Sequence, residues 1–160
     1  MKTKEESLEL LKKWFLGERV SLSNANLENA NLWGANLGYA HLINANLINA
    51  NLRYANLEDA NLEDANLGYA HLENADLENA NILYANLGNA QGIFLIQGTR
   101  DRLVLCGKIC LIGCVSHDID FWLGNYEEIG KKYDYTPEQI KEYGEHIRYA
   151  AKWRALQIPD

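Results

Sequence analysis

Basic residues are almost missing from the middle of this chain. Between residues 22 and 91 Arg53 stands alone against Glu28, Glu58, Asp59, Glu63, Asp64, Glu73, Asp76 and Glu78, so the stretch carries the whole net charge of −7. Direct nucleic-acid binding replaces counterions with Lys and Arg, so it is not expected here. No run approaches the ~20 apolar residues that a membrane-spanning helix requires. The first residues, MKTKEESLELLKKWF, are charged and amphipathic and lack the apolar region of an export signal. Cysteine is scarce and odd in number: Cys106, Cys110 and Cys114. Reduced thiols are therefore expected, in the cytoplasm or in a virion-like particle assembled there. No nucleophile–base pair, phosphate loop or metal-ligand spacing is present, so neither an enzyme nor a cofactor is expected.

What fills the middle is a period of five. Leu recurs at every fifth position from Leu22 to Leu87, with Ile82 the one exception. Ala recurs in the same way from Ala25 to Ala90, and the unit reads Ala-Asn-Leu-x-x. An α-helix advances 100° per residue, so a five-residue Leu stripe would drift around it. A flat strand has period two, so an odd period would throw successive Leu to opposite faces. A chain that bends at every repeat gives Leu and Ala one inward direction. Repeats of this kind fix the architecture.

The run from ANLENANLWGANLGYAHLINA to ANILYANLGNA resembles the pentapeptide-repeat family. The resemblance implies a mainly β fold: a right-handed, four-sided β-helix with twenty residues per coil and about three and a half coils. At ~4.8 Å per coil the stack would stand roughly 17 Å tall.

The flanks read as covers for the open ends of such a stack, whose unpaired backbone invites aggregation. Four segments are expected: a capping helix in residues 1–20, the repeats in 21–91, a β-strand cap in 92–117 and helices in 118–160. The first helix spans 3–16, with Leu8, Leu11 and Phe15 facing the first coil and Gly17 ending it. After Ala90 a three-strand meander follows, at 92–96, 103–106 and 109–115, with turn chemistry at Gly98-Thr99-Arg100-Asp101 and Gly107-Lys108. Asp118 is a candidate N-cap, and Thr136-Pro137-Glu138-Gln139 reads as a capping box. The whole chain is similar to a subgroup found in bacteriophage and bacterial genomes. The resemblance rests on Trp14, Gly98 to Asp101, Gly113-Cys114 and the helical stretch from Trp122, and implies a phage-related origin.

Candidate sites sit outside the inward columns. Cys106, Cys110, Cys114 and His117 lack zinc-knuckle spacing, and Cys110 and Cys114 would share a buried strand face with Ile112. His41 and His71 are thirty residues apart, one and a half coils, and so fall on opposite sides with no shared ligand. The candidate partner-binding set is Trp33, Tyr39, Ile43, Ile48, Tyr54, Tyr69, Leu83 and Tyr84. Ile43, Ile48 and Leu83 are expected at the surface of one corner. The tyrosines recur every fifteen residues, one side back per coil, as a diagonal ladder. A joined patch of this kind marks an interaction surface, unless the chain's own helices cover it. A second candidate contact is the aromatic set Trp122, Tyr126, Tyr143, Tyr149 and Trp153.

These features point to a non-enzymatic structural or interaction scaffold that binds a protein partner or self-associates. The alternative is an acidic DNA mimic acting on gyrase or a topoisomerase, as the resemblance to some family members suggests. Against it stands size, because a stack of roughly 17 Å equals only about five base-pair steps at ~3.4 Å each.

Overall fold

The computed structural model describes residues 2–18 and 20–157. The chain divides after Gly92 into two compact units. Among the described residues no helix is long and apolar enough to cross a membrane.

The first unit is built from one turn repeated. After each inward Leu the chain reverses over four residues, and the Ala amide donates to the Leu carbonyl, as from Ala25 to Leu22 at 3.0 Å. The residue two after Leu always has positive φ, from Asn24 at 59° to Asn89 at 58°. Positive φ at that place alone defines a type II turn. Parallel bridges then join positions twenty residues apart, from Asn26 with Asn46 to His71 with Gln91. Turns every five residues and neighbours at twenty make a four-sided coil.

Amides of the stacking edges pair with carbonyls of the adjacent coils. Leu27 donates to the Asn46 carbonyl at 2.7 Å, and Asn46 donates back to Ala25 at 2.8 Å. The Asn column adds a second ladder outside the first. Asn86 Nδ2 reaches Asn66 Oδ1 at 3.1 Å and Asn51 Nδ2 reaches Asn31 Oδ1 at 3.2 Å. The same side chains accept from turn amides, as Asn46 Oδ1 does from Ile48 at 3.2 Å. Inside, every Leu from Leu22 to Leu77 is essentially inaccessible to water, and so is each Ala from Ala40 to Ala70. Fully burying each Leu contributes ~1.5–3 kcal/mol.

Helix α1 (Lys4–Phe15) closes the first coil. Thr3 and Glu6 form a reciprocal capping box, and Gly17, at φ 86°, follows the helix end. The expected face of Leu8, Leu11 and Phe15 needs correcting: Leu8 and Phe15 are exposed, and the buried positions are Ser7 and Leu11. The physical reason is that a coil end presents backbone polar groups as well as apolar side chains. Ser7 Oγ accepts from the Asn26 amide at 2.7 Å, where later coils would use a carbonyl. Trp14 Nε1 donates to the Asn36 carbonyl at 2.9 Å. The helix thus substitutes for a missing coil with two side chains.

The second unit is an antiparallel sheet with two helices. Its strands β1 (Ile93–Gln97), β2 (Arg102–Cys106), β3 (Ile109–Ile112) and β4 (Val115–Asp118) lie in sequence order. The expected third strand, 109–115, is in fact two. Gly113 takes φ 59° and turns the chain, just as Gly107 does at φ 55° between β2 and β3. Glycine first in a two-residue hairpin loop is the type II′ signature. The turn also moves Cys114 to an exposed tip, so it does not share the buried face of Cys110 and Ile112. Cys106 and Cys110 are buried, and burial pushes the Cys110 thiol up to about 12. At that value it is inert packing.

Helix α2 (Ile119–Lys132) starts at Asp118, whose side chain accepts from the Asp120 amide. Helix α3 (Pro137–Gln157) starts at Thr136, which exchanges bonds with Gln139 at 2.9 and 3.3 Å. Leu103, Leu105, Cys110 and Ile112 on the sheet pack against Ile119, Trp122, Tyr143, Ile147 and Ala150 on the helices. The C-terminal aromatic set is therefore mostly core: Trp122 and Tyr143 are buried, Tyr126 and Trp153 pack against them, and only Tyr149 of the five is exposed.

Replacing Ser7 with Ala would leave the Asn26 amide unpaired at a buried edge. The expected cost is ~1–3 kcal/mol, read as a lower urea midpoint with an unchanged m-value.

Candidate interaction surface

Twenty-residue stacking sorts the outward residues onto four sides. Residues 21–25, 41–45, 61–65 and 81–85 make the first side and carry Glu63 and Asp64. The second, beginning at 26–30, carries Glu28 alone. The third, beginning at 31–35, holds Arg53 and Glu73 and is neutral. The fourth, beginning at 36–40, concentrates Glu58, Asp59, Asp76 and Glu78.

The four tyrosines fall one on each side, in successive coils. They form a spiral, and a flat partner meets two of them at most. Tyr39 is 67% exposed and Tyr84 74%, while Tyr54 and Tyr69 are also exposed. Leu83 is exposed, but Ile43 and Ile48 are half-buried, which corrects their placement at the surface. Each isoleucine stands second in its turn, directly after the inward Leu. Ile43 and Leu83 are also separated by Glu63 in the intervening coil, so the expected apolar corner is not continuous.

All four tyrosines occupy the positive-φ place of their turns, at 58° to 60°. The same place elsewhere holds only Asn, Asp or Gly, as at Asn44, Asp59 and Gly34. Asn, Asp and Gly enter the left-handed region at little cost, whereas a bulky residue there is an outlier. The backbone therefore disfavours tyrosine at these places, and high exposure offers little burial in return.

Aromatic density is greatest on the neutral third side. Trp33 is 62% exposed and meets the Tyr54 ring edge-on at 5.8 Å. Arg53 occupies the place one coil on from Trp33, and its Nη2 donates to Glu73 Oε1 at 2.8 Å and lies 3.0 Å from His71 Nδ1. An Arg donor at Nδ1 places the neutral ring's proton on Nε2. Burial is the largest single influence on Glu73 and favours its neutral form, yet the Arg53 bond, the residue's own backbone amide and the nearby charges of Arg53 and His71 together outweigh it and hold the carboxyl below the usual range. Gly92 closes over Glu73: a Cβ there would sit 2.3 Å from the Glu73 amide nitrogen. On the fourth side the Tyr39 hydroxyl bonds Asp59, which raises its pKa. His41 and His71 fall on the first and third sides and share nothing. Among the described residues no group of three or more His, Cys, Asp or Glu could hold a metal ion.

In the second unit, the Gly98–Asp101 turn clamps both helices. Tyr143 Oη accepts from the Arg100 and Asp101 amides and donates to the Asp101 carbonyl at 2.7 Å. Gly98 permits this, since a Cβ would meet Tyr143 Oη at 2.4 Å. Thr99 Oγ1 and its amide both donate to the Glu142 carboxylate, at 2.5 and 2.9 Å. Arg100 Nη1 donates to the Tyr133 carbonyl at 2.9 Å at the end of α2, and its guanidinium lies 4.4 Å from the Tyr135 ring centre. Tyr135 donates to Asp101 Oδ2, and burial, with that carboxylate, raises its pKa. Gly113 packs against the same carboxylate. Gly98–Asp101 and Gly113 thus converge on Asp101, although its partners Tyr135 and Tyr143 lie 34 and 42 residues further along.

The family profile described as Pentapeptide repeats matches eight copies, over residues 25–64 and 55–91. A pentapeptide-repeat protein of the cyanobacterium Cyanothece 51142 is 45% identical over 46% of this chain and 50% of its own, with a TM-score of 0.45. One from Nostoc Pcc 7120 is 40% identical over 52% of this chain and 73% of its own, with a TM-score of 0.48. HetL, from Nostoc sp. strain PCC 7120 and involved in heterocyst differentiation regulation, is 34% identical over 46% of this chain and 37% of its own, with a TM-score of 0.38. The chain thus spans about half the length of the Cyanothece protein. No curated protein matches it.

The lowered pKa of Glu73 has a definite sign. Its contribution to stability is complete above the ordinary carboxylate range and is lost as pH falls through the lowered folded value. The stability gap between the native protein and Glu73→Gln should therefore be present at neutral pH and vanish in acid, as followed by urea midpoints.

Proposed function

The chain belongs to the pentapeptide-repeat family, and from that premise we propose that it is a non-enzymatic scaffold whose outward repeat side chains bind a protein partner or a second copy of the chain. One observation carries the reading: tyrosine stands four times where the backbone prefers Asn, Asp or Gly, and its rings remain exposed. Strained residues persist where function requires them.

The neutral third side is the proposed contact. Trp33, Arg53 and Tyr54 are the residue types that dominate binding hot spots. A second copy approaching this side meets no excess of like charge, whereas the other three sides carry only acids. The DNA-mimic alternative is weaker on the same ground, because its charge would have to run around the stack, and half of the eight acids lie on the fourth side. A right-handed course, about three and a half coils, a phage-related origin and a cytoplasmic or particle-associated location belong to this proposal.

The double variant Trp33→Ala, Tyr54→Ala tests the contact. Its self-association by sedimentation equilibrium, and its cross-linking to a partner from the native host, should fall at least ~30-fold with the thermal midpoint unchanged. Equal association by variant and native protein would contradict the assignment.

A further inference from the structure

The second unit contains a cavity of about 110 Å³ beneath the Gly98–Asp101 clamp. Its walls are apolar and aromatic: Ile112, Trp122, Tyr126, Ile129 and Ile147. One carboxylate, that of Asp101, joins this lining. The exposed Cys114 and Arg100 also line it, so the opening lies at the β3–β4 turn. Ligand pockets combine an apolar body with a few fixed polar groups in this way.

From this geometry we propose that the cavity is a binding site for a single-ring aromatic molecule bearing one hydrogen-bond donor, of the phenol class, with the donor on Asp101. Size sets the first limit. A dry apolar cavity of ~150 Å³ accepts benzene, so about 110 Å³ with an open mouth takes one ring and refuses fused bicycles or nucleotides. Charge sets the second. Arg100 Nε lies 3.6 Å from Asp101 Oδ2, so the polar end is balanced and suits a neutral ligand. Asp101 is an acceptor only, so the ligand's polar group must donate.

The position of Asp101 is fixed before any ligand arrives. Tyr135 holds its carboxylate, Tyr143 holds its backbone on both sides, and Gly113 leaves no side chain between the carboxylate and the β3–β4 turn. Two-sided fixation lowers the ordering cost of binding. Trp122 is fixed too, since its Nε1 donates to the Cys110 carbonyl at 2.8 Å. It therefore serves as a reporter.

The test is an NMR titration of the full chain with phenol, benzene and 2-naphthol, read at the indole N–H of Trp122. Phenol should give a saturable shift with Kd on the order of 1 mM. Benzene should bind about tenfold more weakly, because it offers no donor to a charged acceptor. Naphthol should give no saturable shift. Val115→Phe, which narrows the cavity from β4, should abolish the phenol shift. A linear, non-saturating response to phenol overturns the site. Naphthol binding as well as phenol overturns the size assignment, and benzene binding as well as phenol overturns the role of Asp101. These three arms use the native sequence, so they decide the matter even where Val115→Phe does not fold.

Discussion

The repeat unit depends on one hydrogen bond made over and over: the Ala amide to the Leu carbonyl three residues earlier, across a turn whose third residue has positive φ. That turn sets the bend every five residues, which aims every Leu inward and lets the chain return over itself after twenty. Once the coils stack, the amides and carbonyls of the edges pair between neighbours, and the Asn side chains add a parallel ladder. Core packing, stacking and side-chain ladder are all consequences of the same local reversal. The ends are where the pattern fails, and there the first coil draws replacements from α1, a serine hydroxyl and an indole N–H.

The turn also says which outward positions are free and which are constrained. The place after each inward residue varies widely, and the chain uses Ser, Glu, Trp, Gly, Ile, Arg and Leu there. The next place requires the left-handed region, and Asn, Asp and Gly fill ten of its fourteen occurrences. The four tyrosines break that rule without gaining burial, which sets them apart from ordinary exposed apolar residues. Arg53, placed between Trp33 and Glu73, adds a polar group whose ion pair is partly exposed and contributes a modest, pH-dependent share of stability.

Most of the first unit was legible in the sequence because its interactions are local and repeated. Leu, Ala and Asn each occupy one column, and one turn explains all three. The residue choice at the positive-φ place was equally visible, although period alone does not reveal what it means. Ser7 was not legible, since its partner is nineteen residues away and apolar spacing points to Leu8 and Phe15 instead. Gly113 hid inside an apolar run that reads as one strand until its φ is known. The aromatic residues of the C-terminal helices looked like a surface because helical spacing shows a face but not what covers it. The sheet covers it. Asp101 and Tyr143 could be joined only by the fold, at a separation of forty-two residues.

The central claim is that tyrosine at the four positive-φ places is tolerated by the fold and not required by it. Thermal unfolding of a variant with Tyr39, Tyr54, Tyr69 and Tyr84 all replaced by Asn tests it most directly. Relief of left-handed strain at four turns should leave the midpoint unchanged or raise it by several degrees. A midpoint lowered by several degrees would show that the rings hold the stack together, and would contradict the account.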